Sequence, residues 1–454
     1  MSQKEKLTLG SHYTIKNIFR QCLAPVMSMF FVSIYSIVDG VFISAFDGPD
    51  AFAGIKLIFS IIMIIGGLGF MFSSGGSALA SKFLGEKNNK DANRTFSMMV
   101  YFSFLVGLIF AIGLFFFIDP IVKSMAKIAN DSTPLMIEKA VIYGQILILG
   151  QPIFIVQDIL KNFLIVDEKP HLGFVFTLAA GLTNIVLDAL FVGLFKWGVI
   201  GAAIATILGY VAGSVGPIVY FKVNKNNLIT LVKTNFDFKI IGKSAFNGLS
   251  DFIFNISANI IGILFNIQLL KYIGQSGVTA YGVIMYISFI FISIFVGLII
   301  GVAPIIGYNY GAKNKNELSF VIRNMLLIYG ILSILMTVSN IALSKPLAML
   351  FCHEDALINL TNKAIIIYSF SYLFAGFGIF ITGMFTALNN GLVSGIISLF
   401  RSFVFPILFL FVLPLFLGED GIWISIILAE ASSFITAISF FLKHRNEYTV
   451  KSQK

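Results

Sequence analysis

The sequence predicts an all-α integral membrane protein, with twelve transmembrane helices in two parallel six-helix lobes around a central cavity. Three observations predict it. Of the 454 residues, 57% are hydrophobic and 12% charged, against roughly 25% charged in soluble globular chains. The apolar residues gather in runs of about 20 or more, the length that carries a helix across a hydrocarbon core of about 30 Å. Two polar loops, one in each half of the chain, also repeat one another. No polar stretch is long enough to coat a soluble domain, which excludes a cytosolic enzyme. The formal net charge of +9 does not point to nucleic acid, because the basic residues form short clusters between apolar runs.

In chain order the spans are expected near 18–46, 53–81, 95–118, 136–162, 171–195 and 198–221. The second set follows near 243–271, 278–307, 319–343, 362–388, 391–416 and 421–442. The N-terminal lobe is therefore 1–221, a basic linker 222–242, and the C-terminal lobe 243–454. An even number of spans puts both termini on one side. With that side cytoplasmic, 22 of the 31 Lys and Arg residues fall on cytoplasmic segments, 8 on outer ones, and Arg401 within a span. That asymmetry follows the positive-inside rule and makes both ends cytoplasmic. The first apolar run is too long for a signal-peptide core and is expected to stay in the protein.

The loop Gly85-Glu86-Lys87-Asn88-Asn89-Lys90 follows span 2, and Gly311-Ala312-Lys313-Asn314-Lys315-Asn316 follows span 8. The shift is 226 positions, and Gly75 maps onto Gly301 by the same shift. Six spans separate the loops, so the halves share one orientation. Parallel repeats of this kind are related by an axis along the membrane normal and favour a transporter; the alternative is chance similarity of two basic loops.

Ionisable groups inside spans are costly and functional by default. Five acids qualify, Asp39, Asp158, Asp188, Asp251 and Glu430, with Arg401 the lone intramembrane cation. Asp39 in span 1, Asp188 in span 5 and Thr206 in span 6 all fall about 10–12 Å below the outer surface at 1.5 Å per residue. Asn184 lies one turn from Asp188, and Tyr35 one turn from Asp39. Two carboxylates, an amide and a hydroxyl at one depth make a cation site, with Asp39, Asn184 and Asp188 as oxygen ligands if the ion is Na⁺. Two carboxylates in a poor dielectric do not both stay charged cheaply, so a proton is the other candidate occupant. Separate polar contacts for each carboxylate are the alternative.

Arg401 and Glu430 fall near the middle of adjacent spans 11 and 12. They are expected to pair, either as a purely structural ion pair or with a role in substrate binding or gating. Asp251, about eight residues inside the cytoplasmic end of span 7, is placed at the cavity entrance. Tyr35, Asp251, Arg401 and Glu430 are thus the candidate cavity residues. Asp158 stands three residues before Lys161 and reads as a helix-surface pair. Glycines cluster in span 2 (Gly66, Gly67, Gly69, Gly75, Gly76), where small residues allow close packing in lipid.

Other chemistry is not signalled. Cys22 and Cys352 are 330 positions apart and suggest neither a disulfide nor a metal site. His12, His171, His353 and His444 are scattered through termini and loops. No G-x-x-x-x-G-K-[ST] loop occurs, so ATP coupling and a resident cofactor are not expected.

The stretch Ser74-Gly75-Gly76-Ser77-Ala78-Leu79-Ala80-Ser81-Lys82, followed by Gly85-Glu86-Lys87, resembles the multidrug and toxic compound extrusion (MATE) family. Tyr35 to Asp39, Asn184 with Asp188, Gly198 to Thr206, and Arg401 to Pro414 resemble it too, so the likeness runs through all twelve spans. It implies a V-shaped pair of lobes that exports cationic or amphiphilic compounds in exchange for inward Na⁺ or H⁺. The family's cation residues match Asp39, Asn184, Asp188 and Thr206. A secondary active antiporter and not an enzyme is expected, acting as a monomer in a bacterial inner membrane. The main rival is a lipid-linked oligosaccharide flippase of the same superfold, which needs cavity cations for pyrophosphate where Arg401 stands alone. A major-facilitator transporter lacks support, because Gly85 to Arg94 carries no Asp-Arg pattern.

Overall fold

A computed structural model of the chain describes residues 8–129, 133–224 and 226–449. Lys4, Lys6, Lys225, Lys451 and Lys454, counted in the basic set, lie outside those residues. Span 1 is Ile15–Phe46, span 2 Pro49–Gly85, span 3 Asn89–Ala129 and span 4 Pro134–Val166. Span 5 runs from Pro170 to Asp188 and continues as a π-helical segment, Ala189–Leu194; span 6 is Gly198–Val223. After a surface helix, Phe238–Asn247, come span 7 (Leu249–Tyr272), span 8 (Gln275–Gly311) and span 9 (Lys315–Ala342). Span 11 begins at Gly391 and passes through a second π-helical segment, Phe400–Val404; span 12 is Glu419–Tyr448. Among the described residues these are eleven helices long and apolar enough to cross a bilayer, and there are twelve if a bent pair counts as one span.

That pair, Asp355–Ser369 and Tyr372–Ala387, meets at 46°, where the sequence predicts one helix over 362–388. The Ser369 carbonyl is taken by the Thr337 hydroxyl of span 9 at 3.2 Å, and the next amides close short i→i−3 turns. A side chain entering the backbone ladder is a recognised cause of a kink. Span 7 also starts later than expected. Residues 243–247 belong to the surface helix, which breaks at Gly248 because span 2 crosses there: a Cβ on Gly248 would overlap the Met71 carbonyl, and one on Gly75 the Ser244 carbonyl.

The internal repeat recurs in the turns. Lys87, Glu168, Lys313 and Asn389 all adopt left-handed backbone, φ 57–61°. Each follows a helix end with one pattern of bonds, as in Lys87 N–H to Leu84 and Asn88 N–H to Phe83, or Lys313 N–H to Tyr310 and Asn314 N–H to Asn309. This is a helix C-cap with paired closing bonds. It ends spans 2 and 8, and again spans 4 and 10.

The two lobes meet at the end that carries both chain termini. There Gly297 and Gly301 of span 8 lie against Val26 and Cys22 of span 1, and Gly311 and Gly85 lie against Lys82 and Tyr308. Small residues let the backbones touch, as in other lipid-embedded bundles. A strap from the N-terminus crosses this seam. The Leu9 amide donates to Glu168 at 2.6 Å, and the Tyr13 amide to Glu317 at 2.7 Å, while His12 Nδ1 bonds the other Glu317 oxygen at 2.8 Å. Leu9 and Tyr13 are themselves buried. Glu168 lies in the first lobe and Glu317 in the second, so one short segment ties both.

A methyl group at Gly75 is therefore expected to force the lobes apart at this end, at about 1–3 kcal/mol of overpacking. Spin labels at exposed Lys222 and Lys313 read the seam directly. Gly75→Ala lengthens the distance between them; an unchanged distance distribution defeats the expectation.

Candidate cation site

Spans 1, 4, 5 and 6 converge inside the first lobe because glycines thin their contacts. A Cβ on Gly181 would stand 2.8 Å from the Tyr35 ring, and one on Gly209 3.0 Å from the Ala180 carbonyl and 3.2 Å from the Asn184 Cβ. At the end opposite the termini, Lys139 of span 4 holds Asp47 with Nζ–O distances of 2.8 and 3.1 Å. Asp47 in turn accepts from the Val199 amide at 2.8 Å, capping span 6. Gly198 has φ +55°, and Asp47 oxygens fill the place of its Cβ. Glycine is required twice over there.

Inside this cap, Asp39 of span 1 meets Asp188 and Asn184 of span 5 side chain to side chain. Asn184 donates to the Thr206 hydroxyl at 3.4 Å, and Thr206 donates to the Ala202 carbonyl at 2.9 Å. Asp188 is 0% exposed and Asn184 4%. Neither Asp188 oxygen has a hydrogen-bond donor among the described residues, nor does Asp39 Oδ1. Buried polar atoms are almost always partnered, and here three carboxylate oxygens converge without a hydrogen bond among the described residues, although the Asn184 amide lies beside both carboxylates. The donor set is all oxygen, two carboxylates with an amide and a hydroxyl beside them. A proton or a hard monovalent cation is what such a set accepts. The four residues picked by depth thus come together.

Two further tyrosines belong to the site. Tyr143 of span 4 is buried beside Thr206 and within electrostatic reach of both carboxylates, and Tyr210 of span 6 lies near Tyr35 and Asp39. The sequence pattern singles out neither. Their signal is a phenol inside an apolar span, which needs a partner for its hydroxyl. Gln151, two turns from Tyr143 on span 4, is 1% exposed with both amide atoms unpartnered among the described residues. Span 5 turns π-helical immediately after Asp188, a local widening that recurs at functional positions. Tyr35 packs against Gly181 and faces this lobe's interior beside Asp39.

The remaining candidates sit elsewhere. Arg401, on the π segment of span 11, pairs with Glu430 through two parallel bonds, Nε–Oε2 and Nη2–Oε1, both 3.0 Å. The guanidinium lies against Gly378, where a Cβ would come 2.9 Å from it, and over the Phe254 ring at 5.9 Å. The pair is inside the second lobe. Asp251 is in the first turn of span 7, not eight residues along it, because the span begins at Leu249. It lies beside Ser74 of span 2 across the seam. Asp158 does pair with Lys161, at 2.6 Å. At 5% exposure it is buried and not a surface pair, held also by Asn162 Nδ2 at 3.3 Å.

Fold and site together define a class: a two-lobed helical membrane protein with eleven or twelve apolar spans among the described residues and two carboxylates gathered inside one lobe. The profile of the MatE family matches residues 25–190 and 250–412, and the chain belongs to that family. It is 25% identical over 423 residues to the multidrug export protein MepA of Staphylococcus aureus (strain bovine RF122 / ET3-1), spanning 93% of this chain and 92% of that protein. MepA of Staphylococcus saprophyticus is 26% identical over 423 residues, at 92% and 91% coverage. Among solved structures, a MATE protein in complex with MaL6 superposes with a TM-score of 0.89 at 21% identity, covering 96% of this chain and 97% of the other. An outward-facing multidrug resistance MATE family transporter of the MOP superfamily also gives 0.89 at 21% identity, covering 99% of each chain.

Proposed function

We propose that the protein is a secondary active antiporter that exports cationic or amphiphilic compounds in exchange for inward H⁺ or Na⁺ by alternating access. The observation that carries this reading is the set of three donorless carboxylate oxygens on Asp39 and Asp188. Asp39, Asn184, Asp188 and Thr206 take up the entering cation, and for Na⁺ the first three supply the ligands. Span 1 is the natural transmitter, since it carries Asp39 and, toward the other end, Pro25 and the seam contacts at Cys22 and Val26. The termini end is cytoplasmic in this reading, closed in the state described, and the membrane is the bacterial inner membrane. A single chain supplies both lobes, and no resident cofactor is needed.

The export of multiple drugs by the MepA relatives supports the substrate class. The flippase reading is disfavoured because Arg401 is neutralised by Glu430 in a bidentate pair, leaving it unavailable for a pyrophosphate. Asp251, Arg401, Glu430 and Tyr35 remain the proposed points where the cavity and the lobes communicate.

The test is purified protein in liposomes, with ethidium transport followed under an imposed pH gradient or an imposed Na⁺ gradient. One gradient drives ethidium against its concentration and thereby names the ion. Flat traces under both gradients, with lipid-linked oligosaccharide moving instead, overturn the antiporter.

A further inference from the structure

The surface helix Phe238–Asn247 is the last element of the covalent bridge between the lobes. One face is buried: Ile241, Ser244 and Asn247 pack inward, and Ser244 reaches Gly75 of span 2. The opposite face is open and divided. Phe238 is 72% exposed and Phe246 51%, with Phe236 at 42% just before the helix. Phe236 and Phe238 stand edge-on to Phe102 of span 3, at 5.7 and 6.3 Å, so the aromatic row continues the lipid-facing surface of the bundle. Lys239 and Lys243 occupy the adjoining stripe, both exposed.

Among the described residues no carboxylate lies within 4.0 Å of Lys233, Lys239 or Lys243. Lys82 of span 2 is the neighbouring cation; among the described residues its carboxylate partner is Glu86, at 3.8 Å, and its ammonium lies 5.6 Å from the centre of the Tyr310 ring. Burial pushes the Lys243 ammonium below its ordinary value, and the nearby charges of Lys82 and Lys239 add to this against the opposing pull of Glu86. Glu86 thus faces three ammoniums near the end of span 2, Lys82 standing three residues before Gly85. Asp237 is engaged elsewhere, capping the helix through the Lys239 and Ile240 amides and lying 3.9 Å from Arg94. Rings that reach toward acyl chains beside cations that reach toward phosphates are the arrangement of an interfacial helix.

We propose that this face, with Lys239, Lys243 and Lys82 as its cations and Phe238 and Phe246 as its apolar contacts, binds the phosphodiester headgroup of an anionic phospholipid. The lipid completes a charge balance that the chain leaves open, and it does so on the strip that joins the lobes and touches the seam. Nothing in this depends on which solute or ion crosses.

Native mass spectrometry of detergent-purified protein mixed with equal palmitoyl-oleoyl phosphatidylglycerol and phosphatidylcholine tests it. The wild type retains phosphatidylglycerol in preference, and Lys239→Gln with Lys243→Gln weakens that retention on the order of fivefold for each lysine. Lys123→Gln, at a residue paired with Asp119 in span 3, leaves retention unchanged, and melting curves of all variants coincide. Equal retention of both lipids, an equal loss in the Lys123 variant, or no loss in the double variant overturns the proposal. Displacement by millimolar inorganic phosphate also overturns it, by marking a site for free anions.

Discussion

Asp39→Asn and Asp188→Asn are each expected to reduce ethidium efflux to the background of a pump-deficient host, a loss of tenfold or more at matched membrane expression. The substitution keeps size and shape but removes the group that gains and loses a proton or cation. Its effect on stability runs the other way. Asp188 is wholly buried with both oxygens donorless, and an asparagine amide in its place donates to Asp39. Satisfying a buried acceptor is worth about 1–3 kcal/mol. Thermal unfolding of the purified variants therefore moves upward or stays level while transport is lost. Full transport by both variants refutes a coupling role, and lost transport with a lowered melting temperature marks the carboxylates as merely structural.

Breaking the Arg401–Glu430 pair is expected to have the largest effect on stability. Arg401 is 8% exposed and Glu430 19% on the side chain, so either variant alone leaves a charge buried without its partner. Such a loss costs about 3–5 kcal/mol. Arg401→Met and Glu430→Gln should each lower the melting temperature sharply. The double variant should recover most of the loss, because it buries no unpaired charge. Additive losses in the double variant mean that Arg401 acts through packing against Gly378 and Phe254 rather than through its charge. Ethidium efflux by a stable double variant separates a structural pair from one that gates.

What was readable in advance follows from the solvent. In a bilayer, backbone polar groups must be satisfied within the segment, so a run such as Gln275–Gly311 has little choice but helix. Asp39, Asn184, Asp188 and Thr206 were legible because depth is nearly a linear function of sequence position in a spanning helix. The Arg401–Glu430 pair was legible because a lone charge in that medium is too costly. Tyr143, Tyr210 and Gln151 are not legible in the sequence, since a single polar tip in an apolar helix does not say which neighbour it faces. Asp251 was placed too deep for a related reason. Hydropathy does not separate the surface helix Phe238–Asn247 from the span that follows, and the break at Gly248 is set by span 2 pressing on it.

The sequence by itself determined the helical class, the order of the apolar spans, the repeat and the shared depth of Asp39, Asn184, Asp188 and Thr206. These depend on local composition, backbone hydrogen bonding and the fixed rise of a helix. Tertiary structure alone decided the bend in span 10, the seam of glycines at one end, the strap from Leu9 to Glu317 and the donorless oxygens. Each of those is a relation between segments far apart in the chain, set by which backbone reaches which, and a one-dimensional pattern carries no record of it.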